Sequence, residues 1–383
     1  MPRYPSVSPS LAAVEASAFS SLMHRLKVHE GESYPLHVGD TWLEPVEGCR
    51  MEDLRVAEFP GMHRYAPPRG IPQLLEMLAA RVETRSGTPT QQDDVLVTAG
   101  ATGGLAAVLG AVVQPGDEVL VLAPYWPLIT GIVRCYHGHP VGVPSVGDVE
   151  DSGAVVEQAR RKFTSRTVAL YISTPNNPSG RVLPPDWIEA LVAWACAEGL
   201  WIISDEVYED YVFSGHHVYT RSLAPERTFS VHSFSKAFGM AGNRCGYVVG
   251  PRGTMKQLTK VSTHTFYSTP TASQLAACRA LDGRGDSWVA DVRERYRLMG
   301  MQAATRLGVT PPEGSTFLFL DVADRLDERG LTGFLGDCVE RGLLVAPGTS
   351  FGAYPTHIRI CYTCAPPDVV ERGIEILAEL LGR

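Results

Sequence analysis

The chain has 383 residues, of which 44% are hydrophobic and 20% charged, and its formal net charge is −8. This is the balance of a folded globular chain with one large or two ordinary domains, and its acidity argues against a nucleic-acid-binding surface. No apolar run reaches the roughly 18 residues needed to cross a bilayer, and "MPRYPSVSPS" lacks a secretory signal's basic start and apolar core, so a cytoplasmic location is expected.

Residues 1–40 mix a helical patch, "SLAAVEASAFSSLMHRL", with an extended segment, "YPLHVG". From about residue 70 the pattern alternates. "IPQLLEMLAARVETRSG" predicts a helix, with Pro72 near its start and Gly87 after its end. "DVLVTAG" predicts a strand entering a glycine turn, "ATGGLAAVLGAVV" a helix and "DEVLVLAP" a second strand. "TVALYIST", "LWIISDEVY" and "RTFSVHSFS" are further short apolar runs, as expected of strands buried on both faces of a parallel sheet. "PPDWIEALVAWACAEG" is a helix between two of them. This rhythm predicts an open α/β sheet. Near residue 270 it gives way to a long helical stretch and then "STFLFLDV", "GLLVAPG" and "HIRICYT", which predict a smaller α+β unit. The expected organisation is residues 1–40 packing with the small domain, 41–270 as the large domain and 271–383 as the small one. Of eight cysteines, Cys361 and Cys364 form a C-x-x-C. The pair sits in a strand-like run with no second pair at zinc spacing, so neither a disulfide framework nor a metal site is expected.

In open α/β sheets ligands sit beyond the carboxyl ends of the strands, and several polar residues fall there. "VTAGATGGL" offers free backbone N–H groups and the Thr102 hydroxyl to an anion, although a tight helix-entry turn explains it equally well. It is neither a Walker loop nor G-x-G-x-x-G. Trp126, in "APYWP", suits either a stacked flat ring or the core. "ISTPNNPSG" presents Asn176 and Asn177 on a proline-fixed turn. Asp205 ends an apolar strand three residues before Tyr208, where a charge needs a partner unless it caps a surface helix. "SVHSFSKAFGMAGNRCGY" concentrates Ser233, Ser235, Lys236 and Arg244, and Arg359 sits inside the apolar run "HIRICY". A guanidinium there suits a carboxylate ligand.

Taken in order, these elements resemble the class I and II aminotransferases, which are fold-type I pyridoxal-phosphate enzymes, over roughly residues 35 to 375. The most specific match is S-F-S-K with an arginine eight residues after the lysine and then a glycine, preceded by N-P-S-G and D-E-V-Y. The resemblance implies a large domain with a mostly parallel sheet flanked by helices, a smaller α+β domain, and pyridoxal 5'-phosphate as cofactor. It implies that Lys236 forms the Schiff base, that Asp205 faces the pyridine nitrogen, and that Tyr208 and Asn177 face the ring hydroxyl. Trp126 matches the stacking position. Gly100, Ala101, Thr102, Ser233, Ser235 and Arg244 match the phosphate cradle. Tyr65, in "HRYAPPRG", matches a tyrosine that reaches the partner subunit's phosphate, which implies a homodimer. Arg359 matches the residue that binds the substrate's α-carboxylate, and Gly39, with Trp126 and Asn177, the substrate side.

Some family members that prefer aspartate or glutamate carry a lysine where Thr102 stands, and others an arginine where His264 stands; neither is present. A dedicated aspartate aminotransferase is therefore not expected. His264, Trp42 and Phe266 suit either substrate contact or simple packing. The expected activity is amino transfer from an L-amino acid to a 2-oxo acid by a ping-pong mechanism. A pyridoxal-phosphate lyase or cyclase on the same scaffold is the alternative, and a non-catalytic ligand-binding module a third.

Overall fold

The computed structural model describes residues 8–12, 14, 29, 31–145 and 149–383. The helical patch expected near the N-terminus lies largely outside them; Pro9–Ala12 forms one helical turn.

Seven strands form the larger sheet: β1 (Val95–Thr98), β2 (Glu118–Ala123), β3 (His139–Pro144), β4 (Thr167–Ser173), β5 (Trp201–Asp205), β6 (Thr228–Ser233) and β7 (Gly246–Val249). Their spatial order is β1-β7-β6-β5-β4-β2-β3. Strands β2 to β6 pair in parallel, whereas β7 is antiparallel to both of its neighbours, so it alone runs against the rest. Every residue of β1, β2 and β7 is buried, as the near-continuous apolar runs demand when both faces are covered. β3 is a mostly exposed edge strand. Its Pro140 and Pro144 lack the N–H that a central strand would have to donate.

Among the described residues six helices precede, join or follow these strands: α1 (Pro72–Ser86), α2 (Gly100–Val112), α3 (Leu128–Cys135), α4 (Ser152–Lys162), α5 (Pro185–Ala197) and α6 (Arg252–Thr265). α1 shows how sequence sets the boundaries. Pro72 is its first residue, Leu74, Leu78 and Val82 form its buried stripe, and Gly87 closes it in the left-handed region at φ 67°. α2 lies close on the sheet, since a Cβ at Gly104 would come within 2.8 Å of the Val248 side chain.

The second unit contains α7 (Thr271–Arg279), α8 (Gly285–Leu307), β8 (Phe317–Asp321), α9 (Gly330–Glu340), β9 (Ala346–Pro347), β10 (His357–Cys361) and α10 (Pro367–Leu380). Its sheet is antiparallel in the order β8-β10-β9. The long helix expected from residue 270 is interrupted, because Gly283 takes φ 99° between α7 and α8. α7 shares a buried cluster with Leu74 and Leu78 of α1 and Val97 of β1, whereas α8 packs on α10 and β8.

Two connections position the site. Residues 34–42 lie along the smaller sheet, with Cys361 N donating to Leu36 O (2.7 Å) and Trp42 N to Thr363 O (3.0 Å). Tyr208 and Tyr211, which follow β5, are buried with Tyr296 and Phe317 of the second unit. The carboxyl ends of β2, β4, β5 and β6 thereby open into a space walled by β10 and the 34–42 segment.

Candidate active site

A cavity of about 1130 Å³ occupies that space. It brings together Gly39, Ala101, Thr102, Trp126, Asn177, Asp205, Tyr208, Ser233, Ser235, Lys236, Arg244 and Arg359 from seven separate stretches of the chain. Gly100 lies just behind its wall. Tyr65 does not line it: the side chain is 86% exposed and tilts against Tyr267 with ring centroids 5.0 Å apart. His264, Trp42 and Phe266 also lie outside the lining; His264 is exposed near the end of α6 and Phe266 packs near Gly103.

Lys236 sits in the turn after β6. Its Nζ donates to the Gly39 carbonyl oxygen, and the Tyr211 hydroxyl donates to its backbone carbonyl (2.8 Å). Burial, with the nearby Arg359 and Arg244 charges, pushes its ammonium below the ordinary lysine range. The end of β6 is fixed from behind. His232 pairs with Glu209 (3.0 Å), which pairs with Arg85 of α1 (3.1 Å), and its ring stacks on Tyr247 at 4.6 Å. Ser233 Oγ accepts from Ser235 N at 3.0 Å, closing the turn that presents both hydroxyl residues.

Asp205 ends β5 and is 7% exposed. Burial pushes its carboxyl up to about 6, against the opposing hydrogen bond from Tyr171 Oη (2.6 Å). No cation pairs with it among the described residues, so the site holds a buried carboxylate in need of a positively charged partner. Tyr208 is buried with its hydroxyl pushed up by desolvation, and its ring meets Phe317 edge-on at 5.7 Å.

The two asparagines of the β4 turn separate. Asn176 is structural: its Nδ2 donates to Pro124 O (3.1 Å), and its Oδ1 accepts from Ser179 N and Oγ (3.0 and 2.6 Å). Asn177 faces the cavity, where its Oδ1 accepts from Arg359 Nη1 at 2.9 Å. Ser315 Oγ donates to Asn176 O (3.1 Å), tying this turn to the start of the smaller sheet.

Arg359 is 6% exposed. Its Nη2 donates to His37 O (2.5 Å), and the guanidinium lies 4.4 and 4.7 Å from the Phe317 and Phe351 ring centroids. Nε is buried without a hydrogen-bond partner. Burial pulls this cation below the ordinary arginine range, and together with Arg359 it lowers His37 to about 4, leaving that imidazole neutral.

The third cationic corner is shaped by glycines. Arg244 takes a left-handed conformation (φ 52°) and donates to Ala241 O and Ala99 O at 3.0 and 3.3 Å. A Cβ at Gly100 would come within 2.5 Å of its Nη2, and one at Gly246 within 2.7 Å of Gly100 C and 2.8 Å of Ala101 N. Only residues without a side chain let the guanidinium close over the N-terminus of α2. There the first helical N–H groups lack intrahelical acceptors.

These features fit pyridoxal 5'-phosphate: a cradle for a dianion, a buried carboxylate for a protonated ring nitrogen, and a lysine with a destabilised ammonium. Tyr171, His37, Phe317 and Phe351 are the members that sequence reasoning missed. Each sits in an apolar or loop context that burial or chain connection alone explains, so no sequence signal marks it.

Residues 35–377 match the model of the family described as aminotransferase class I and II. The chain is 35% identical over 348 residues to an aspartate/prephenate aminotransferase of Thermus thermophilus, covering 87% of each. It is 32% identical over the full length of both chains to an arginine–pyruvate transaminase of Pseudomonas aeruginosa. Its structure superposes on the aspartate aminotransferase of Thermus thermophilus with maleate at a TM-score of 0.89, with 30% identity, covering 98% of this chain and 100% of that one.

Proposed function

The chain belongs to the class I and II aminotransferases, and on that premise we propose that it moves the amino group of an L-amino acid to a 2-oxo acid by a ping-pong cycle on the Lys236 cavity. The observation that carries this reading is the convergence of Lys236, Asp205, Asn177, Arg244 and Arg359 on one cavity. Pyridoxal 5'-phosphate, when bound, supplies a ring that accepts the electrons released at the substrate's Cα.

In this reading Arg244, Ser233, Ser235, Thr102 and the N–H groups at the start of α2 hold the phosphate. Gly100 makes room for the Arg244 guanidinium and Gly246 for the backbone at the start of α2. Asp205 keeps the ring nitrogen protonated and is itself held by Tyr171. Tyr208 and Asn177 face the ring oxygen, and Trp126 covers the ring. Arg359 takes the substrate's α-carboxylate, held in place by Asn177 and His37 O. Phe317 and Phe351 exclude water around that pair, which strengthens it. Lys236 anchors the cofactor and then serves as the base at Cα. Its destabilised ammonium favours the free amine, the form that can take and hold the proton released at Cα. Gly39 O lies where it can orient that amine.

Substrate choice is not dedicated to aspartate, in line with Thr102 and with the varied substrates in the relatives' names. We place the protein in solution as a homodimer in the cytoplasm, with Tyr65 serving the partner's cavity; its 86% exposure in the single chain supports this. No described helix is long and apolar enough to cross a membrane.

Product analysis tests the reading. Holoenzyme given an L-amino acid alone should form one 2-oxo acid per site and stop until a 2-oxo acid is added. Continuous release of ammonia without an acceptor would instead assign an elimination reaction.

A further inference from the structure

Among the described residues four cations line the cavity, Lys236, Arg244, Arg359 and Arg134, against one carboxylate, Asp205. On the proposed function, on which this inference rests, Lys236 anchors the cofactor, Arg244 takes its phosphate, Arg359 takes the α-carboxylate and Asp205 faces the ring nitrogen. Arg134 is left without an assignment. Its guanidinium has no hydrogen-bond or ion-pair partner among the described residues.

Arg134 stands in the last turn of α3. Leu128, Gly131 and Arg134, spaced three apart on one face of that helix, all line the cavity, together with Tyr125 and with Gly142 and Pro144 of the edge strand β3. This arm is open. Among the described residues a Cβ at Gly131 would meet only Val14, at 3.5 Å, and one at Gly142 only the Tyr125 ring, at 3.8 Å. The whole space also exceeds the roughly 300–1,000 Å³ usual for ligand clefts.

We infer that this arm is a subsite for the far end of the amino donor, and that Arg134 selects substrates whose side chain is longer than that of glutamate and ends in a carboxylate. Donors ending in an amine or guanidine would enter an arm that, among the described residues, holds a cation and no acid. The short-range positions that neutralise a dicarboxylate side chain in some relatives are Thr102 and His264 here, so a far carboxylate must find its countercharge further out.

The test compares holoenzyme with Arg134→Gln, measuring kcat/KM for L-2-aminoadipate and L-2-aminopimelate against uncharged L-2-aminohexanoate and against L-lysine. The wild type should favour the acids over the uncharged donor by about tenfold or more, with lysine poorest. Arg134→Gln should lower the acid-to-uncharged ratio roughly 10- to 100-fold, the range expected for a lost hydrogen bond to a charged group. A basic residue that only complements the C-terminal dipole of α3 would shift thermal stability and leave that ratio alone. A wild-type ratio near one, or a ratio unmoved by the substitution, overturns the inference while leaving the aminotransferase reading intact. If no donor yields a 2-oxo acid, both fall.

Discussion

Asp205 and Arg359 are charged groups held where water cannot solvate them, and each makes a testable claim. The Asp205 carboxyl is raised to about 6 by burial, above its ordinary value near 3.9. In the cofactor-free protein the folded state therefore binds this proton more tightly than the unfolded chain. Its contribution is favourable below about pH 4 and is lost as pH rises through 6, a swing on the order of 3 kcal/mol. Asp205→Asn should thus raise the cofactor-free Tm relative to wild type by more at pH 8 than at pH 5, while lowering turnover about 100-fold or more. A pH-independent difference in Tm would show that Asp205 is not the desolvated acid described. Arg359→Lys loses the planar fork that reaches both Asn177 Oδ1 and His37 O. It should weaken amino acid binding about 10- to 100-fold, read as KM, without loss of the bound cofactor's visible absorbance.

At the scale of elements, the strand ends matter more than the strands. Gly246 opens β7 directly behind the start of α2. Gly246→Ala would place a methyl group against Gly100 C, Ala101 N and His232 O, all backbone atoms that cannot swing aside. Cofactor affinity should fall at least about tenfold, from a clash of roughly 1–3 kcal/mol, measured as the Kd of reconstitution. Gly253→Ala, where an added Cβ meets nothing within 4 Å, is the matched control. Elements were unevenly legible in sequence. β1, β2 and β4 to β6 are legible as apolar runs, all but β2 ending in a polar residue. β3 did not, because an exposed edge strand needs no apolar run and carries two prolines. The C-terminal helical stretch read as continuous, since one glycine does not reveal that its φ will be 99°. Lys236, Asp205 and Arg359 were legible because a charge at the end of, or inside, a buried strand requires an explanation. Tyr171 was not, because a tyrosine in a core strand is satisfied by burial alone. Arg134 was not, because only the folded cavity shows it to lack a partner among the described residues.

For the molecule as a whole, the two units enclose a cavity that needs contributions from both, and Tyr65 lies outside its lining. In the proposed homodimer, Tyr65→Ala should impair the partner's cavity and not its own. Mixing Tyr65→Ala with Lys236→Ala subunits tests this. Each homodimer is defective, but a heterodimer holds one site lacking both residues and one lacking neither, so random reassociation should restore about a quarter of wild-type activity. No recovery, with reassociation verified, would place Tyr65 elsewhere. The central claim concerns Lys236 itself, and Lys236→Ala tests it most directly. Wild-type holoenzyme should show a visible absorbance band that shifts when an amino donor is added and returns when a 2-oxo acid follows. Lys236→Ala should fold with an unchanged Tm in the cofactor-free state and lose turnover by at least about 10⁴-fold. Turnover within about tenfold of wild type would contradict the account.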